Sequence, residues 1–357
     1  MATRGRIVEI AARRIGRDEP PWVIAEAGVN HNGDPDLALR LVDAAAQAGA
    51  DAVKFQTFQA ARLASPNAPQ AEYQRQRAAS ASQIEMLSAL ELPGDALRAC
   101  RDRALHHGIV FLSTPFDLGS TRLLAELGVP AFKISSGDLT NLILLRAVAS
   151  YGLPMLVSTG MATLAEVDAS VSDLRNHGDP PIVLLQCTSA YPADAADANL
   201  RSMETLRAKF SVPVGFSDHT LGVAVAIAAA AMGAAVIEKH ITLNRELTGP
   251  DHAASLEPDE MASLVRGVHE AHAARGDGVK LPRAAEADIA LVARRSLTIA
   301  RPVAAGTVLR ARDLDARRPA DGLSPLRIDE AIGRRAVRDL EPGLPLKPHD
   351  LDPPLSS

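Results

Sequence analysis

The segment WVIAEAGVNHNGDPDLALRLVDAAAQAGADAVKFQTF, residues 22–58, contains the pattern that decides the fold. It begins with a β-rich run at 22–28 and ends with another at 52–58. Between these runs, apolar residues recur at the spacing of one helix face, and Gly49 follows as a usual helix stop. A strand, a helix and a second strand in this order predict two parallel strands joined by a helical crossover.

The same alternation continues along the chain and produces eight strand–helix units. The predicted strands are 22–28, 52–58, 109–115, 131–136, 155–160, 182–188, 213–219 and 236–243. Eight such units in roughly 250 residues are typical of a closed (β/α)8 barrel, the TIM barrel. A doubly wound open sheet is the alternative fold for this pattern.

The character of the sequence changes after residue 274. The segment ARGDGVKLPRAAEAD (274–288) is rich in Gly, Pro and charged residues, and short strands and turns follow it. These changes predict an α/β TIM-barrel domain at 1–275, a linker at 276–293 and a small, mostly β domain at 294–357.

Composition narrows the classes of protein to which the chain can belong. Its 357 residues are 47% hydrophobic and carry a net charge of −5, which indicates neither a nucleic-acid partner nor an anionic membrane. Its two cysteines, Cys100 and Cys187, are too few for a disulfide scaffold, so a cytoplasmic location is predicted. The N-terminus resembles no signal peptide. The most apolar run, 223–237, is shorter than the roughly 18 residues of a membrane span.

Polar side chains follow every predicted strand. Active sites of TIM barrels lie at the carboxyl ends of the strands, so these residues are expected to converge. In strand order they are Glu26, Asn30 and His31; Lys54 and Gln56; Ser113 and Thr114; Lys133, Ser135 and Ser136; Ser158 and Thr159; Gln186, Thr188 and Tyr191; Ser217, Asp218 and His219; and His240. A long polar insert, 59–83, follows the second strand, and a long loop on that face is expected to contribute to function.

Two histidines end neighbouring strands of this predicted barrel. His219 and His240 can therefore approach each other, and two imidazoles with nearby carboxylates suit a divalent ion such as Mn²⁺, Zn²⁺ or Fe²⁺. The alternative is a pair of core histidines hydrogen-bonded to the backbone. Asp117 and Asp218 are interpreted as ligands or caps, and Cys187 as a buried structural thiol.

Predicted strands two and four each contain a lysine. Lys54 and Lys133 are accompanied by several strand-end hydroxyls, and ammonium groups among hydroxyl donors predict a site for phosphate plus carboxylate. The hydroxyls are those of Thr114, Ser136, Ser158 and Ser217. The alternative is that Glu26 or Glu238 merely neutralises the lysines.

Ordered motifs give a more specific indication. They are IAEAGVNHNGD (24–34), AVKFQTF (52–58), LSTPFD (112–117), KISSGD (133–138), STGMA (158–162), CTSAYP (187–192), GFSDHTLG (215–222) and IEKHITL (237–243). Together they resemble the sialic acid synthase family from about residue 21 to the C-terminus. The segment RRPADGLSP (317–325) looks like the antifreeze-like SAF domain that ends members of that family.

The resemblance implies an activity and a set of roles. The implied reaction condenses phosphoenolpyruvate with an N-acetylated mannosamine-type sugar, giving a nonulosonic acid and phosphate by C–O cleavage. It implies a divalent metal at His219 and His240, usually Mn²⁺, with Mg²⁺ or Co²⁺ as alternatives. The implied phosphoenolpyruvate ligands are Lys54, Thr114, Lys133, Ser136, Ser158 and Ser217. The implied sugar ligands are Glu26, Gln56, Tyr191 and Asp251. Among all these residues, Glu26, Lys54, Lys133 and His240 are predicted to be catalytic.

The resemblance also implies a domain-swapped homodimer, in which the SAF domain of one subunit reaches over the barrel of the other. Arg318 is the match for an arginine that contacts the sugar's N-acetyl group, with Arg317 beside it. RPADG stands where the family favours RPGNG, and this difference weakens the match at Arg318.

Asp138 stands where the family usually has glutamate, so its contact with the sugar must shift. Asp138 and the insert around Tyr73 are expected to determine which acceptor sugar is bound. GPDH, 249–252, is closer to the sialic and legionaminic branches than to the pseudaminic branch. Pseudaminic acid synthase or another phosphoenolpyruvate-dependent aldol-type synthase is the alternative enzyme. A sugar-binding scaffold is the non-enzymatic alternative.

Overall fold

The eight predicted strands form one parallel sheet in the computed structural model, which describes residues 7–65, 67–69 and 82–355. The hydrogen-bonded order is β5-β4-β3-β10-β9-β8-β7-β6, and the end strands β5 and β6 lie side by side. The strands are β3 (Trp22–Gly28), β4 (Ala52–Thr57), β5 (Val110–Pro115), β6 (Phe132–Ile134), β7 (Met155–Ser158), β8 (Ile182–Cys187), β9 (Val214–Asp218) and β10 (Val236–His240). This nearly closed barrel confirms the predicted fold class, and the open-sheet alternative is wrong.

Helices connect the strands on the outside of the barrel. In the described chain they are α1 (Pro35–Gln47), α2 (Ala60–Leu63), α3 (Gln83–Ala89), α4 (Gly94–His106), α5 (Leu118–Leu127), α6 (Leu142–Ala149), α7 (Leu164–Asn176), α8 (Ser202–Phe210), α9 (Ala224–Ala231) and α10 (Pro258–Arg275). Helix α1 starts where Asp34 accepts hydrogen bonds from the N–H groups of Asp36 and Leu37, with Pro35 in the first turn. Gly49 then turns the chain with a φ of 82°.

A hairpin before the barrel closes its amino-terminal end. Strands β1 (Val8–Ile10) and β2 (Arg13–Ile15) pair antiparallel. Val8, Ile10 and Ile15 are buried in one cluster with interior residues of the barrel. This hairpin was not predicted from the sequence, because each strand has only three residues and gives no periodic signal.

Several predicted strands are shorter than expected. The strand predicted at 131–136 ends at Ile134, because Ser135 caps a 3₁₀ turn at Ser136–Asp138. The polar insert is described only at its ends, by α2 and α3. Tyr73 lies outside the described residues.

The chain divides into two compact units, Met1–Gly276 and Asp277–Ser357. The second contains α11 (Ala287–Ala293), α12 (Ile328–Ala331) and two antiparallel strand pairs with their own apolar core. The pairs are β11 (Ser296–Ile299) with β12 (Leu314–Arg317), and β13 (Arg335–Ala336) with β14 (Leu351–Asp352). Within the described residues, no helix has the length and apolar character needed to cross a membrane.

Candidate active site

The alternation of side chains along β9 and β10 determines which polar residues at their ends face the barrel interior. Ser217 lies opposite Glu238, and Asp218 lies opposite Lys239. The Ser217 hydroxyl donates to Glu238 at 2.7 Å inside the barrel. Asp218 and Lys239 point to the other side of the sheet, since successive side chains of a strand face opposite ways. The next residue is a histidine in both cases, His219 just after β9 and His240 at the end of β10, and each faces inward again.

The inward-facing groups meet in a cavity of about 420 Å³ at the carboxyl end of the barrel. That volume is within the usual range for small-molecule sites. Most of the site residues expected from the sequence line it: Glu26, Lys54, Gln56, Thr114, Lys133, Ser136, Ser158, Tyr191, Ser217, His219, His240 and Asp251. Residues far apart in the sequence are thus brought together.

The two lysines extend into the cavity from β4 and β6. Lys54 donates to Thr114 Oγ1 at 2.9 Å, and its Nζ lies 2.8 Å from Glu26 Oε2. Lys133 donates to Ser158 Oγ at 2.8 Å. Both lysines are buried, at 3% exposed each, and a buried ammonium needs compensating partners.

Glu238 provides part of that compensation. Its carboxylate lies 3.5 Å from Lys133 Nζ and 3.8 Å from Lys54 Nζ, so it pairs with both lysines. Burial opposes its ionisation, but the two ammonium groups outweigh this and lower the pKa of Glu238 to about 2. Glu238 is therefore a fixed anion between two cations.

The remaining ionisable groups respond to burial in different ways. Burial raises the pKa of Glu26 despite the opposing charge of Lys54. Burial would lower the pKa of Lys54, but Glu26 and Glu238 outweigh it and raise that pKa. For Lys133, burial dominates and the pKa is lowered. Opposite shifts on neighbouring acids and bases are typical of a site that transfers protons.

The two histidines lie side by side, with ring centroids 5.5 Å apart. His219 Nδ1 is 2.8 Å from the carbonyl oxygen of Thr188, so in the neutral ring Nδ1 carries the proton and Nε2 has a lone pair. Burial would lower the pKa of His219, but the contacts with Cys187 and Thr188 outweigh burial and raise that pKa. His240 Nδ1 is buried and has no hydrogen-bond partner within the described part of the chain. Burial, together with His219 and Lys54, keeps the pKa of His240 well below its usual value. The prediction that the pair can approach each other is confirmed.

These features fit a divalent metal. A ring centroid lies roughly 3 Å from an ion bound to its nitrogen, so two centroids at the observed spacing can share one ion. An orphaned buried nitrogen and imidazole lone pairs are the donor set that such an ion needs. No group of three or more His, Cys, Asp or Glu side chains placed to hold a metal ion together is found in the described ranges. The protein would therefore supply two imidazoles, with other positions open to water or substrate.

The loop after β10 brings Asp251 over the cavity. Its Oδ2 lies 3.9 Å from His240 Nδ1, and burial raises the pKa of Asp251 to about 6. His252 anchors this loop: its Nδ1 is 2.7 Å from Thr242 Oγ1, and its Nε2 is 3.2 Å from Asn32 Oδ1. Asn32 belongs to the loop after β3, so the two loops are held together beside the site.

Other predicted positions lie elsewhere. Asp138 is not in the cavity lining; its carboxylate accepts from Ser135 Oγ at 2.6 Å and from Asn141 at 3.1 Å. Asp117 caps the N-terminus of α5, which agrees with the cap interpretation of this residue. Asp218 binds Lys239 outside the barrel instead of facing the site.

Further strand-end residues are used structurally. Asn30 donates to the Ile241 carbonyl, and Ser113 bonds Thr57 at 2.7 Å. Arg318 lies in the second unit, where β12 ends just before it.

One group of lining residues was not predicted from the sequence. Val29, Phe116, Met161 and Pro250 form an apolar part of the wall, and Ser189 adds a hydroxyl. All five stand inside quoted motifs, so their neighbours could have identified them. Val29 and Phe116 are apolar residues after strand ends, and a search for polar groups could not select them.

Comparisons with known proteins agree with this geometry. The family model for NeuB matches residues 41–280, and that for the SAF domain matches residues 294–352. The chain is 45% identical over 330 residues to N,N'-diacetyllegionaminic acid synthase of Legionella pneumophila, covering 91% of this chain and 93% of that one. It is 32% identical over 335 residues to pseudaminic acid synthase of Campylobacter jejuni, covering 93% and 97%.

A solved structure gives the same result. The crystal structure of N-acetylneuraminic acid (sialic acid) synthetase from Leptospira borgpetersenii matches with a TM-score of 0.72 at 34% identity, covering 81% of this chain and 96% of that one. The resemblance to sialic acid synthases in the motifs is thereby confirmed, and the chain belongs to the NeuB family and carries a SAF domain near its C-terminus.

Proposed function

We propose that this nonulosonic acid synthase condenses phosphoenolpyruvate with an N-acetylated mannosamine-type sugar, and that its preferred acceptor is a 2,4-diacetamido-6-deoxy sugar. The product would be a legionaminic-type acid, released with phosphate. One observation carries the proposal: a lysine–hydroxyl cluster and a histidine pair face each other in one cavity. The first suits a dianionic substrate and the second suits a metal that polarises a carbonyl.

Phosphoenolpyruvate fits the lysine side of the cavity. Lys54 and Lys133 would bind its phosphate and carboxylate, with hydroxyl donors from Thr114 and Ser158. Glu238 holds both ammonium groups in place before the substrate arrives. Such preorganisation lowers the cost of ordering the side chains on binding.

The residues suggest how the reaction proceeds. C3 of phosphoenolpyruvate attacks the aldehyde carbon of the open-chain sugar, which forms the C–C bond and leaves positive charge at C2. The C=O π electron pair moves to the aldehyde oxygen, which takes up a proton and becomes a hydroxyl. Glu26 is 1% exposed and can stabilise that charge or accept a proton from the water that adds at C2. Cleavage of the C2–O bond then releases phosphate. Lys54 and Lys133 hold the leaving group throughout.

A divalent metal bound by His219 and His240 would supply Lewis-acid polarisation of the aldehyde oxygen. We propose Mn²⁺, with Mg²⁺ or Co²⁺ as alternatives. Asp251 lies beside this position, and its raised pKa suits an acid that can hydrogen-bond to a sugar hydroxyl in either protonation state.

The preference for a legionaminic-type product is supported by three observations. The GPDH motif at 249–252 favours the sialic and legionaminic branches. Identity to the legionaminic relative, at 45%, exceeds identity to the pseudaminic relative, at 32%. Phe116 and Val29 in the cavity wall offer an apolar surface that suits a C6 methyl group.

A substrate panel tests the proposal. Phosphate release from phosphoenolpyruvate would be measured with Mn²⁺ and either N-acetylmannosamine, a 2,4-diacetamido-6-deoxy mannose-type sugar, or its pseudaminic-branch stereoisomer. We expect the highest kcat/KM with the second sugar. Release with none of them would refute the synthase proposal, and a preference for the third would refute the branch assignment.

We also propose the assembly and location that the family resemblance implies, a domain-swapped homodimer in the cytoplasm. Domain boundaries of 1–275, 276–293 and 294–357 are proposed with them. The division of the chain at Gly276 and the SAF match at 294–352 support these boundaries.

A further inference from the structure

A buried ion pair lies directly behind the two histidines. Lys239 Nζ is 2.7 Å from Asp218 Oδ2, and the residues are register partners on β10 and β9. Both side chains are 0% exposed. Among the ion pairs of the described ranges, only this one has both partners fully enclosed. Each member precedes a histidine of the site by one residue.

The pair also fixes the chain around His219. Asp218 Oδ1 accepts the N–H of Thr220 at 2.9 Å, and Lys239 Nζ donates to the carbonyl oxygen of the same residue. Lys239 of the neighbouring strand therefore bonds the residues on both sides of His219, at the Asp218 carboxylate and at the Thr220 carbonyl. His219 itself has its carbonyl bonded by the Ala193 N–H at 2.9 Å.

Stability alone does not explain this arrangement. Replacing a buried ion pair with apolar residues is often neutral or stabilising, because the desolvation of two charges opposes their attraction. Elsewhere on the outer face of the sheet, Thr57 and Ser113 make a neutral contact at 2.7 Å between β4 and β5. Between β9 and β10, the corresponding contact is the charged and directional Asp218–Lys239 pair. It lies next to two imidazoles that must keep a fixed separation.

We infer that the Asp218–Lys239 pair is a positioning device that sets the spacing and orientation of His219 and His240, and with them the metal affinity of the site. The inference rests on the proposed function, in which these histidines hold a divalent ion. Neither member of the pair touches the cavity. They act only through the histidines, as residues that orient metal ligands from behind generally do.

Two variants test this inference. Lys239→Met keeps the side-chain length but leaves Asp218 as an unpaired buried charge, so it should lower both stability and metal affinity. Asp218→Asn combined with Lys239→Met removes both charges and should recover stability. Mn²⁺ binding to the substrate-free protein would be measured by the electron paramagnetic resonance of free Mn²⁺, beside urea unfolding.

A positioning role and a purely stabilising role of the ion pair predict different Mn²⁺ affinities for the double variant. For a positioning device, the folded double variant should bind Mn²⁺ about ten-fold or more weakly, since residues behind metal ligands commonly contribute that much. Thr57→Val with Ser113→Ala is the matched control between other strands, and its affinity should stay within about two-fold of the unmodified chain. A folded double variant whose affinity matches this control would overturn the inference.

His240→Ala separates this outcome from failure of the proposed function. If the unmodified protein and His240→Ala bind Mn²⁺ equally, the metal assignment itself is wrong and the inference falls with it. If only His240→Ala loses binding and the double variant does not, the metal assignment stands and the positioning role is refuted.

Discussion

At the residue scale, His240 combines features that structural histidines rarely share. It is 7% exposed, its Nδ1 has no hydrogen-bond partner in the described chain, and its pKa is depressed. An unsatisfied buried polar atom is costly unless a bound group completes it.

Replacing His240 with alanine should therefore remove the metal. We expect the Mn²⁺ content after dialysis against Mn²⁺ to fall to near background, as measured by plasma mass spectrometry. His349→Ala is the control, because that side chain is 79% exposed in the second unit and should leave the metal content unchanged. Equal metal in both variants would refute the assignment.

His31 gives a prediction about pH. It is fully buried, its Nδ1 accepts the Gly33 N–H at 3.0 Å, and burial lowers its pKa to about 4. An unfolded histidine has a pKa of about 6.5, so between these values the unfolded chain binds a proton that the folded chain does not. The contribution of His31 to the free energy of unfolding therefore falls as the pH drops through this window.

The variant His31→Asn keeps an acceptor for Gly33 but cannot titrate. Between about pH 4.5 and 6, its free energy of unfolding should change less steeply with pH, by roughly 1 kcal/mol per pH unit. Urea unfolding at several pH values measures the slope. Parallel curves for His31→Asn and the unmodified protein would contradict the prediction.

At the scale of elements, the β1–β2 hairpin stabilises the barrel from its amino-terminal end. Ile10 is 1% exposed and packs with interior residues of the barrel. Ile10→Ala should lower the free energy of unfolding by about 2–5 kcal/mol, because it leaves a cavity in a closed core. Ile7→Ala, at a side chain 45% exposed, should change it by less than about 1 kcal/mol. Equal losses in urea unfolding would show that the hairpin does not close the core.

The loop that carries Asp251 depends on a second element, the loop after β3. His252→Ala breaks the contact with Asn32, so Asp251 should lose its fixed position over the cavity. We expect the KM for the sugar to rise more than the KM for phosphoenolpyruvate, and Asn32→Ala should act in the same direction.

Arg245→Ala is the control within the same loop, since Arg245 pairs with Glu260 at 2.7 Å and is 40% exposed. Steady-state kinetics with each substrate varied in turn gives the comparison. A proportional rise of both KM values in His252→Ala would mean that the loop does not select for the sugar.

At the scale of the whole molecule, the proposed domain swap makes each site a product of two chains. Arg318→Ala would remove the side chain that the SAF domain contributes to the proposed site, and His240→Ala would remove one that the barrel contributes. In a swapped dimer containing one chain of each kind, one of the two sites combines an intact barrel with an intact SAF domain.

Co-expression of the two variants should therefore restore activity that neither has alone. With random pairing, about a quarter of the sites would be intact. Activity would be assayed at a sugar concentration well below KM, where Arg318→Ala is most impaired. Arg317→Ala in place of Arg318→Ala identifies which arginine is used. Absence of restoration, with mixed dimers confirmed by tagging, would refute the swapped arrangement.

Much of the barrel could be predicted from the sequence. Strand and helix periodicities are local, so β3, α1 and β4 can be recognised from residues 22–58. Parallel strands of a barrel place their carboxyl ends on one face, so the convergence of Lys54, Lys133 and the two histidines follows from the strand order alone. The β1–β2 hairpin and the shortened β6 were not predicted, because three-residue strands contain too few residues for a period.

The sequence alone determined the fold class, the strand order along the chain and the chemical types available to the site. Only the tertiary structure decided which side chains face the cavity and which groups they pair with. Asp218 and Ser217 are adjacent in sequence, yet one faces the helices and the other the cavity, because the pleat sends successive side chains to opposite sides. Glu238 became the shared counter-ion of two lysines through distances of 3.5 and 3.8 Å across the barrel. Such distances join residues more than a hundred positions apart, and chain closure sets them, not local propensity.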